Sequence, residues 1–105
     1  MEFVHIGAPV TKKMPNEVYN DGMKVWISDP DLDDFKFEYL RFEKDSWLAK
    51  EIQTQTHIAV KVASLKEALA GCEKILLEPV AVNDTTTLAF GIRNGVVMEF
   101  MEVKG

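Results

Sequence analysis

The chain has 105 residues, a formal net charge of −5, 47% hydrophobic residues and 28% charged residues. These values are typical of one globular domain, and a negative charge without a Lys/Arg block argues against a nucleic-acid partner. No apolar run approaches the roughly 20 residues that span a bilayer, and the N-terminus lacks a signal-peptide pattern. Because Cys72 is the only cysteine, no internal disulfide forms, and we expect a cytoplasmic protein that has no membrane partner.

The first half of the chain predicts strands with loops between them. Strands are predicted at residues 2–10, 23–28 and 35–43. In the first strand the apolar side chains are expected to face the core and His5 the opposite side. Residues 11–22 contain Pro15 and an Asn-Asp-Gly turn signal, so they predict a loop, with a short helical turn as the alternative. Residues 29–34 predict an acidic turn, and residues 44–52 predict a link to the second half.

The second half predicts four strands and one helix. The strands are predicted at residues 53–62, 73–82, 85–93 and 96–103. Ser64 and Glu67 form a capping-box pattern that predicts the start of the helix, and Gly71 suits its end. Pro79 indicates an edge strand or a bulge. Asn94-Gly95 lies between two alternating runs and therefore predicts a tight hairpin.

A short pattern occurs once in each half. His5 and His57 are each followed by isoleucine and then a small residue, and each half later contains a Glu-aromatic-aliphatic run that begins at Glu38 or Glu99. Two histidines and two glutamates on strands are donors that a divalent metal such as zinc, nickel, manganese or iron accepts. The alternative is that all four are ordinary side chains of half-exposed strands.

Several segments resemble one known group of proteins. They are Val4-His5-Ile6-Gly7, Phe37-Glu38-Tyr39-Leu40, Thr56-His57-Ile58-Ala59-Val60, Ser64-Leu65-Lys66-Glu67-Ala68-Leu69, Ala89-Phe90 and Val97-Met98-Glu99-Phe100-Met101-Glu102. With these segments the sequence resembles the vicinal oxygen chelate superfamily of glyoxalases, bleomycin-resistance proteins and dioxygenases. The resemblance covers most of the chain and is stronger in the second half.

The resemblance implies an α+β fold in which two βαβββ modules form a curled, cup-shaped mixed sheet. The modules would occupy about residues 1–46 and 53–105 of a single domain, and the first would have a missing or very short helix. One residue from each of four strands would hold a metal ion. Those positions are His5, Glu38, His57 and Glu99, with Glu43 as the competing candidate for the second of them.

The implied activity is that of a metal-dependent isomerase or lyase acting on a small oxo or hydroxy compound through a metal-stabilised enediolate. Glu99 or Glu38 would carry the proton, and Arg93, Lys61 and Arg41 are candidate anchors for an anionic group of the substrate. The alternatives are a metal-free small-molecule-binding protein of the resistance type and an iron-dependent ring-cleaving dioxygenase. The missing first helix also predicts an exposed surface that a second subunit covers in a homodimer.

Overall fold

An eight-stranded mixed sheet, curled into a half-barrel, carries most of the regular structure in the computed structural model, which describes residues 1–104. The strands are β1 (Glu2–Pro9), β2 (Val18–Asn20), β3 (Val25–Ile27), β4 (Phe37–Phe42), β5 (His57–Lys61), β6 (Lys74–Ala81), β7 (Thr86–Arg93) and β8 (Val96–Val103). Two short helices, α1 (Lys50–Thr54) and α2 (Leu65–Ala70), and a 3-10 turn at Pro30–Leu32 complete the secondary structure.

The strand order repeats between the two halves of the chain. The sheet runs β2-β3-β4-β1-β5-β8-β7-β6, so that β1 to β4 form one half and β5 to β8 form the other. Strand β1 pairs with β4 in parallel, as β5 does with β8, and the halves join where β1 and β5 pair antiparallel. The predicted α+β fold with a curled mixed sheet is confirmed.

Helix α2 packs on the convex face of the second half. The Ser64 hydroxyl accepts a hydrogen bond from the Glu67 backbone N–H, as the capping pattern predicts. Leu65 and Leu69 then pack in a buried cluster with Phe100 and its neighbours on the sheet. In the first half, the described chain between β1 and β2 contains no helix, as predicted.

The prediction missed two short elements. Strand β2 spans three residues and pairs only with β3, and helix α1 spans five residues without a side-chain hydrogen bond at its N-terminus. Elements this short carry little periodicity, so tertiary contacts decide them. For α1, the decisive contact is the burial of Ile52, which packs with Leu48 against the concave face of the second half.

Helix α1 and its flanking residues therefore close one side of the half-barrel. Leu48 and Ile52 share a cluster with Leu88, Phe90 and Val97. The β7–β8 hairpin turns through Asn94 and Gly95, both with positive φ, as the Asn-Gly signal predicts. None of the helices in residues 1–104 has the length and apolar character that crossing a membrane requires.

Candidate metal centre

Four adjacent strands at the middle of the sheet each supply one donor side chain to the concave face. Glu38 lies on β4, His5 on β1, His57 on β5 and Glu99 on β8. One ligand atom from each residue can be chosen so that all four lie within 4.8 Å of one another. The fold thus brings together residues that are up to 94 positions apart in the chain (from 5 to 99).

The pairing register explains why these four side chains meet. In one row across the sheet His5 pairs with Ala59, which pairs with Glu99. In the next row Glu38 pairs with Gly7, which in turn pairs with His57. Paired residues point to the same face of a sheet. Each row therefore places one donor on each side of a residue that is too small to separate them.

The two rows are related by the duplication. Exchanging the halves maps His5 onto His57, Glu38 onto Glu99, and Gly7 onto Ala59, and each pairing of one row becomes a pairing of the other. The His-Ile-small pattern in the sequence is therefore the local signature of this arrangement. The isoleucine points to the convex face, and the small residue leaves room for the donors of the other half.

Gly7 is a contributor to the site that the sequence analysis did not single out. A Cβ atom at this position would lie 2.0 Å from Cε1 and 2.3 Å from Nε2 of the His57 ring. The imidazole thus occupies the space that any larger residue would fill. The small residue two positions after each histidine was the signal that could have identified this position.

The distances between donor atoms suit a shared ion. His5 Nε2 lies 3.2 Å from Glu38 Oε1 and 3.2 Å from Glu99 Oε1, and His57 Nε2 lies 3.1 Å from Glu99 Oε1. Two ligands that are each about 2.1 Å from one metal lie about 3.0–3.4 Å apart at octahedral or tetrahedral angles. The nitrogen and oxygen donors also match the chemistry of zinc and related divalent ions.

A buried donor atom without a hydrogen-bond partner also indicates a metal site. His5 Nε2 is buried among residues 1–104 and, despite its short distances to two carboxylates, lacks the angle of a hydrogen bond to either. Buried polar atoms without a partner are uncommon in folded proteins. The residues present therefore fit a divalent cation.

Neighbouring donors in the site shift the pKa values of His5 and Glu99. Burial lowers the pKa of His5, but the adjacent Glu38 and Glu99 carboxylates outweigh it and raise the pKa to about 9. Burial raises the pKa of Glu99, but contacts with His5 and His57 outweigh it and lower the pKa to about 2. Glu99 is therefore a carboxylate at neutral pH, and positive charge is stabilised beside it.

One expectation about the histidines was wrong. The alternation predicts that His5, and by the same pattern His57, points away from the packed interior, yet the two residues are only 4% and 1% exposed. The alternation was read correctly, because His57 and Val60 face opposite sides of β5. Both of these side chains are covered, however: Val60 packs under α2, and His57 faces the enclosed concave side against Phe90, with ring centroids 5.0 Å apart.

The donors open into a cavity of about 220 Å³, here called the central cavity. Its wall includes Leu40, Phe42, Leu48, Leu88, Phe90 and Met101. Asn20, Met23 and Val82 line both the central cavity and an adjoining surface pocket, so the mouth lies between the β2–β3 and β6–β7 turns. A small molecule entering there reaches the four donors along an apolar wall.

None of the three predicted cationic anchors is among the residues that line the central cavity. Arg41 pairs with Glu17 and stacks on Trp26, and Lys61 is exposed, 3.9 Å from a Glu2 oxygen. Arg93 lines a larger pocket of about 480 Å³ beside α2, on the convex face. That pocket contains none of the four donors, so size alone does not identify the site.

The competing candidate Glu43 has a different role. Its Oε1 accepts a hydrogen bond of 2.9 Å from the Trp26 indole N–H, and Glu43 is absent from the donor cluster. Glu38 was preferred in the sequence because it shares its context with Glu99, and Glu38 is the residue that joins the cluster. Glu43 instead holds Trp26 in place.

Comparisons with known proteins bear on the fold. A scan of protein-family models and a search of curated proteins each returned no match. A crystal structure of a hypothetical protein from Bacillus halodurans C-125 is similar to this one, with a TM-score of 0.67 and 25% sequence identity. The likeness covers 99% of this chain and 95% of that chain. The same curled sheet therefore occurs, over nearly the whole described length, in a second protein.

Proposed function

We propose that this chain is a member of the vicinal oxygen chelate superfamily and acts as a metal-dependent isomerase or lyase of the glyoxalase or epimerase type. The substrate would be a small oxo or hydroxy compound. The observation that carries the proposal is the convergence of two histidines and two glutamates within 4.8 Å at the inner end of an apolar cavity. Within the superfamily that the sequence resembles, lactoylglutathione lyases hold their metal with two histidines and two glutamates.

The four donors would hold a zinc, nickel, manganese or iron ion. When bound, such an ion polarises substrate oxygens and stabilises the negative charge that develops when a neighbouring carbon loses a proton. The apolar wall around the donors excludes water, which strengthens electrostatic interactions inside the cavity. His57 is held for this task by the edge-to-face contact with Phe90 and by the space at Gly7.

Glu38 is the better of the two candidate proton carriers. The Glu99 carboxylate is 8% exposed, and its Oε1 contacts both histidines, whereas the Glu38 side chain is 17% exposed and contacts His5 alone. The less restrained carboxylate can turn toward a substrate carbon more readily. In the proposed reaction Glu38 removes the proton from the hydroxyl-bearing carbon and returns it to the adjacent carbonyl carbon, while the hydroxyl proton passes to the former carbonyl oxygen. The two groups exchange places and no atom is gained or lost.

Deuterium incorporation tests this proposal without knowledge of the natural substrate. Zinc-, nickel- or manganese-loaded protein is mixed in D2O with a panel of small 2-hydroxy ketones and 2-oxo aldehydes, and exchange of the C–H protons is followed by NMR. We expect metal-dependent exchange in the wild type and its loss in Glu38→Gln. Glu43→Gln is the matched control, because it retains an oxygen for the Trp26 hydrogen bond and leaves the donor set intact.

The same preparation separates the alternatives. Metal-loaded protein that binds members of the panel without any exchange would contradict the isomerase proposal and favour a binding protein. Oxygen uptake with iron and a ring compound would instead favour the dioxygenase, which in this superfamily requires two histidines and one glutamate. Exchange that persists in Glu38→Gln would remove Glu38 from the role of proton carrier.

A further inference from the structure

The chemistry of the central cavity beyond its four donors restricts what it can bind. Among residues 1–104, those that line the cavity include no lysine or arginine. Asn20 is the one uncharged polar side chain in the wall, and it lies at the mouth, where its Oδ1 accepts a hydrogen bond from the Met23 backbone N–H. All remaining wall residues are apolar. The cavity therefore offers hydrocarbon contacts and no counter-charge for an anion.

The charges of the donors themselves leave no surplus. Two carboxylates balance one divalent cation, and two neutral imidazoles add nothing, so the loaded site has a net charge of zero. A carboxylate or phosphate group brought into the cavity would remain an unpaired buried charge. Such burial costs several kcal/mol in real proteins. The three cationic anchors predicted from the sequence, Arg41, Lys61 and Arg93, do not line the cavity.

The size of the cavity adds a second restriction. Its volume of about 220 Å³ is below the roughly 300 Å³ at which pockets for drug-sized ligands begin. Leu48 and Ile52 close one side of this space and are themselves buried. A substrate with a large conjugated group, such as a peptide or a nucleotide, would have to leave that group outside the mouth.

From these features, and resting on the function proposed above, we infer that the site takes a small, electrically neutral substrate. One end of that substrate presents adjacent hydroxyl or carbonyl oxygens to the donor cluster, and its remainder is apolar and packs against the wall. Compounds that carry a carboxylate or phosphate on this remainder are rejected. This inference replaces the anionic substrate group that the sequence analysis associated with Arg93, Lys61 and Arg41.

The test uses two probes with the same chelating end and different tails. Pentanohydroxamic acid has an apolar tail, and succinic acid monohydroxamate has a tail of similar length ending in a carboxylate. Each is titrated into the cobalt(II)-loaded protein, and binding is followed by the visible spectrum of the metal. We expect the carboxylate probe to bind at least about 30-fold more weakly, because its charge would be buried without a partner.

A wall variant makes the test independent of differences between the probes. Met101 lies two residues after Glu99 on the same face of β8 and is partly exposed, so a lysine there can place its charge near the tail of the probe. In Met101→Lys the discrimination should fall below about threefold as the new cation pairs with the carboxylate. Met101→Gln is the neutral control and should retain the wild-type preference.

The outcomes test the charge of the substrate and the proposed metal site separately. Equal binding of both probes by cobalt-loaded wild-type protein would overturn the inference about substrate charge and leave the proposed metal site intact. Failure of the wild-type protein to bind cobalt at all would overturn the proposed function and this inference together. The inference is supported if the wild type binds the apolar probe more strongly and if this preference is reduced in Met101→Lys but retained in Met101→Gln.

Discussion

At the scale of single residues, the centre depends on close approach between the two halves. Gly7 leaves space for the His57 ring, since a Cβ there would lie 2.0 Å from Cε1. A substitution at Gly7 therefore tests the geometry of the site without removing a donor. The same position in the second half is Ala59, which is fully buried. One methyl group is thus tolerated at one of the two related positions and excluded at the other.

We predict that Gly7→Ala displaces the His57 ring. Loss of ring orientation typically lowers metal affinity about 10–100-fold, and overpacking destabilises a protein by about 1–3 kcal/mol. Zinc titration calorimetry and urea unfolding measure the two effects. Gly22→Ala is the matched control, because its Cβ would meet only Asn20 Oδ1, at 3.4 Å. Wild-type zinc affinity in Gly7→Ala would refute the role assigned to the close approach.

The buried ion pairs predict how the stability of the ion-free protein depends on pH. The pKa of His5 is raised from 6.5 to about 9, so its contribution is complete below pH 6.5 and is lost as the pH rises through 9. The pKa of Glu99 is lowered from 4.5 to about 2, so its contribution is complete above pH 4.5 and is lost as the pH falls through 2. Both shifts reflect largely the same contacts.

The ion-free protein should therefore have its greatest free energy of unfolding between pH 4.5 and 6.5. Urea unfolding in the presence of a chelator, from about pH 3 to about pH 10, measures this profile. His5→Gln should flatten the decline on the alkaline side, because the titrating group is gone. A stability that rises steadily from pH 6.5 to pH 9 would contradict the pairing described for His5.

At the scale of elements, the segment between the halves both closes the cavity and joins the modules. Ile52 of α1 is 1% exposed and packs with Leu48 on the concave face of the second half. We predict that Ile52→Ala lowers the free energy of unfolding by about 2–5 kcal/mol, as for other large-to-small core changes. Denaturant unfolding monitored by circular dichroism provides the measurement.

Ile75 on the edge strand β6 is the matched control for that experiment. It is 42% exposed, and substitutions at exposed positions usually change stability by about 0.5 kcal/mol or less. Similar losses in Ile52→Ala and Ile75→Ala would mean that α1 does not pack as described. The comparison keeps the residue type constant and changes only its burial.

The sequence predicted the strongly patterned elements and not the short ones. Ser64 and Asn94-Gly95 specify local hydrogen bonds and φ angles, so α2 and the last hairpin were identified correctly. Strand β2 and helix α1 have three and five residues, too few to show a period, and their positions depend on partners elsewhere in the chain. Local pattern also could not show that His57 lies on a second buried face.

The residues of the candidate site likewise divide into those that the sequence could identify and those that it could not. His5, Glu38, His57 and Glu99 could be selected because the duplication marks equivalent positions in two strands of each half. The cationic anchors could not be placed, since no repeat or local pattern links Arg41, Lys61 or Arg93 to the cavity. Their environments are set by Glu17, Glu2 and α2, which only the folded chain brings near them.

At the scale of the whole molecule, the two halves differ in what covers their convex faces. Helix α2 covers the second half, and the first half has no counterpart. A register row of apolar residues, formed by Phe37, Ile6, Ile58 and Met98, runs on this convex face from the first half into the second, where Met98 packs beside α2. Ile58 is 37% exposed. The homodimer expected from the sequence therefore remains a prediction, with this apolar row as the proposed contact surface.

Sedimentation velocity at micromolar concentration tests that prediction. We expect a dimer in the wild type and a shift toward monomer in Ile58→Glu, because a charge buried in an apolar contact is strongly unfavourable. Lys61→Glu, at an exposed position near the end of the same strand, serves as the charge control. A wild-type protein that sediments as a monomer would contradict the proposed dimer.

The convergence of four donors on one ion is the claim on which the proposed chemistry depends, and metal stoichiometry tests it most directly. Purified protein is equilibrated with zinc, freed of unbound metal and analysed for metal and protein content, alongside folded His5→Ala, His57→Ala and Glu99→Gln variants. The account predicts one tightly held ion per chain in the wild type and its loss in each variant. Wild-type protein that retains no ion, or variants that retain it fully, would contradict the account.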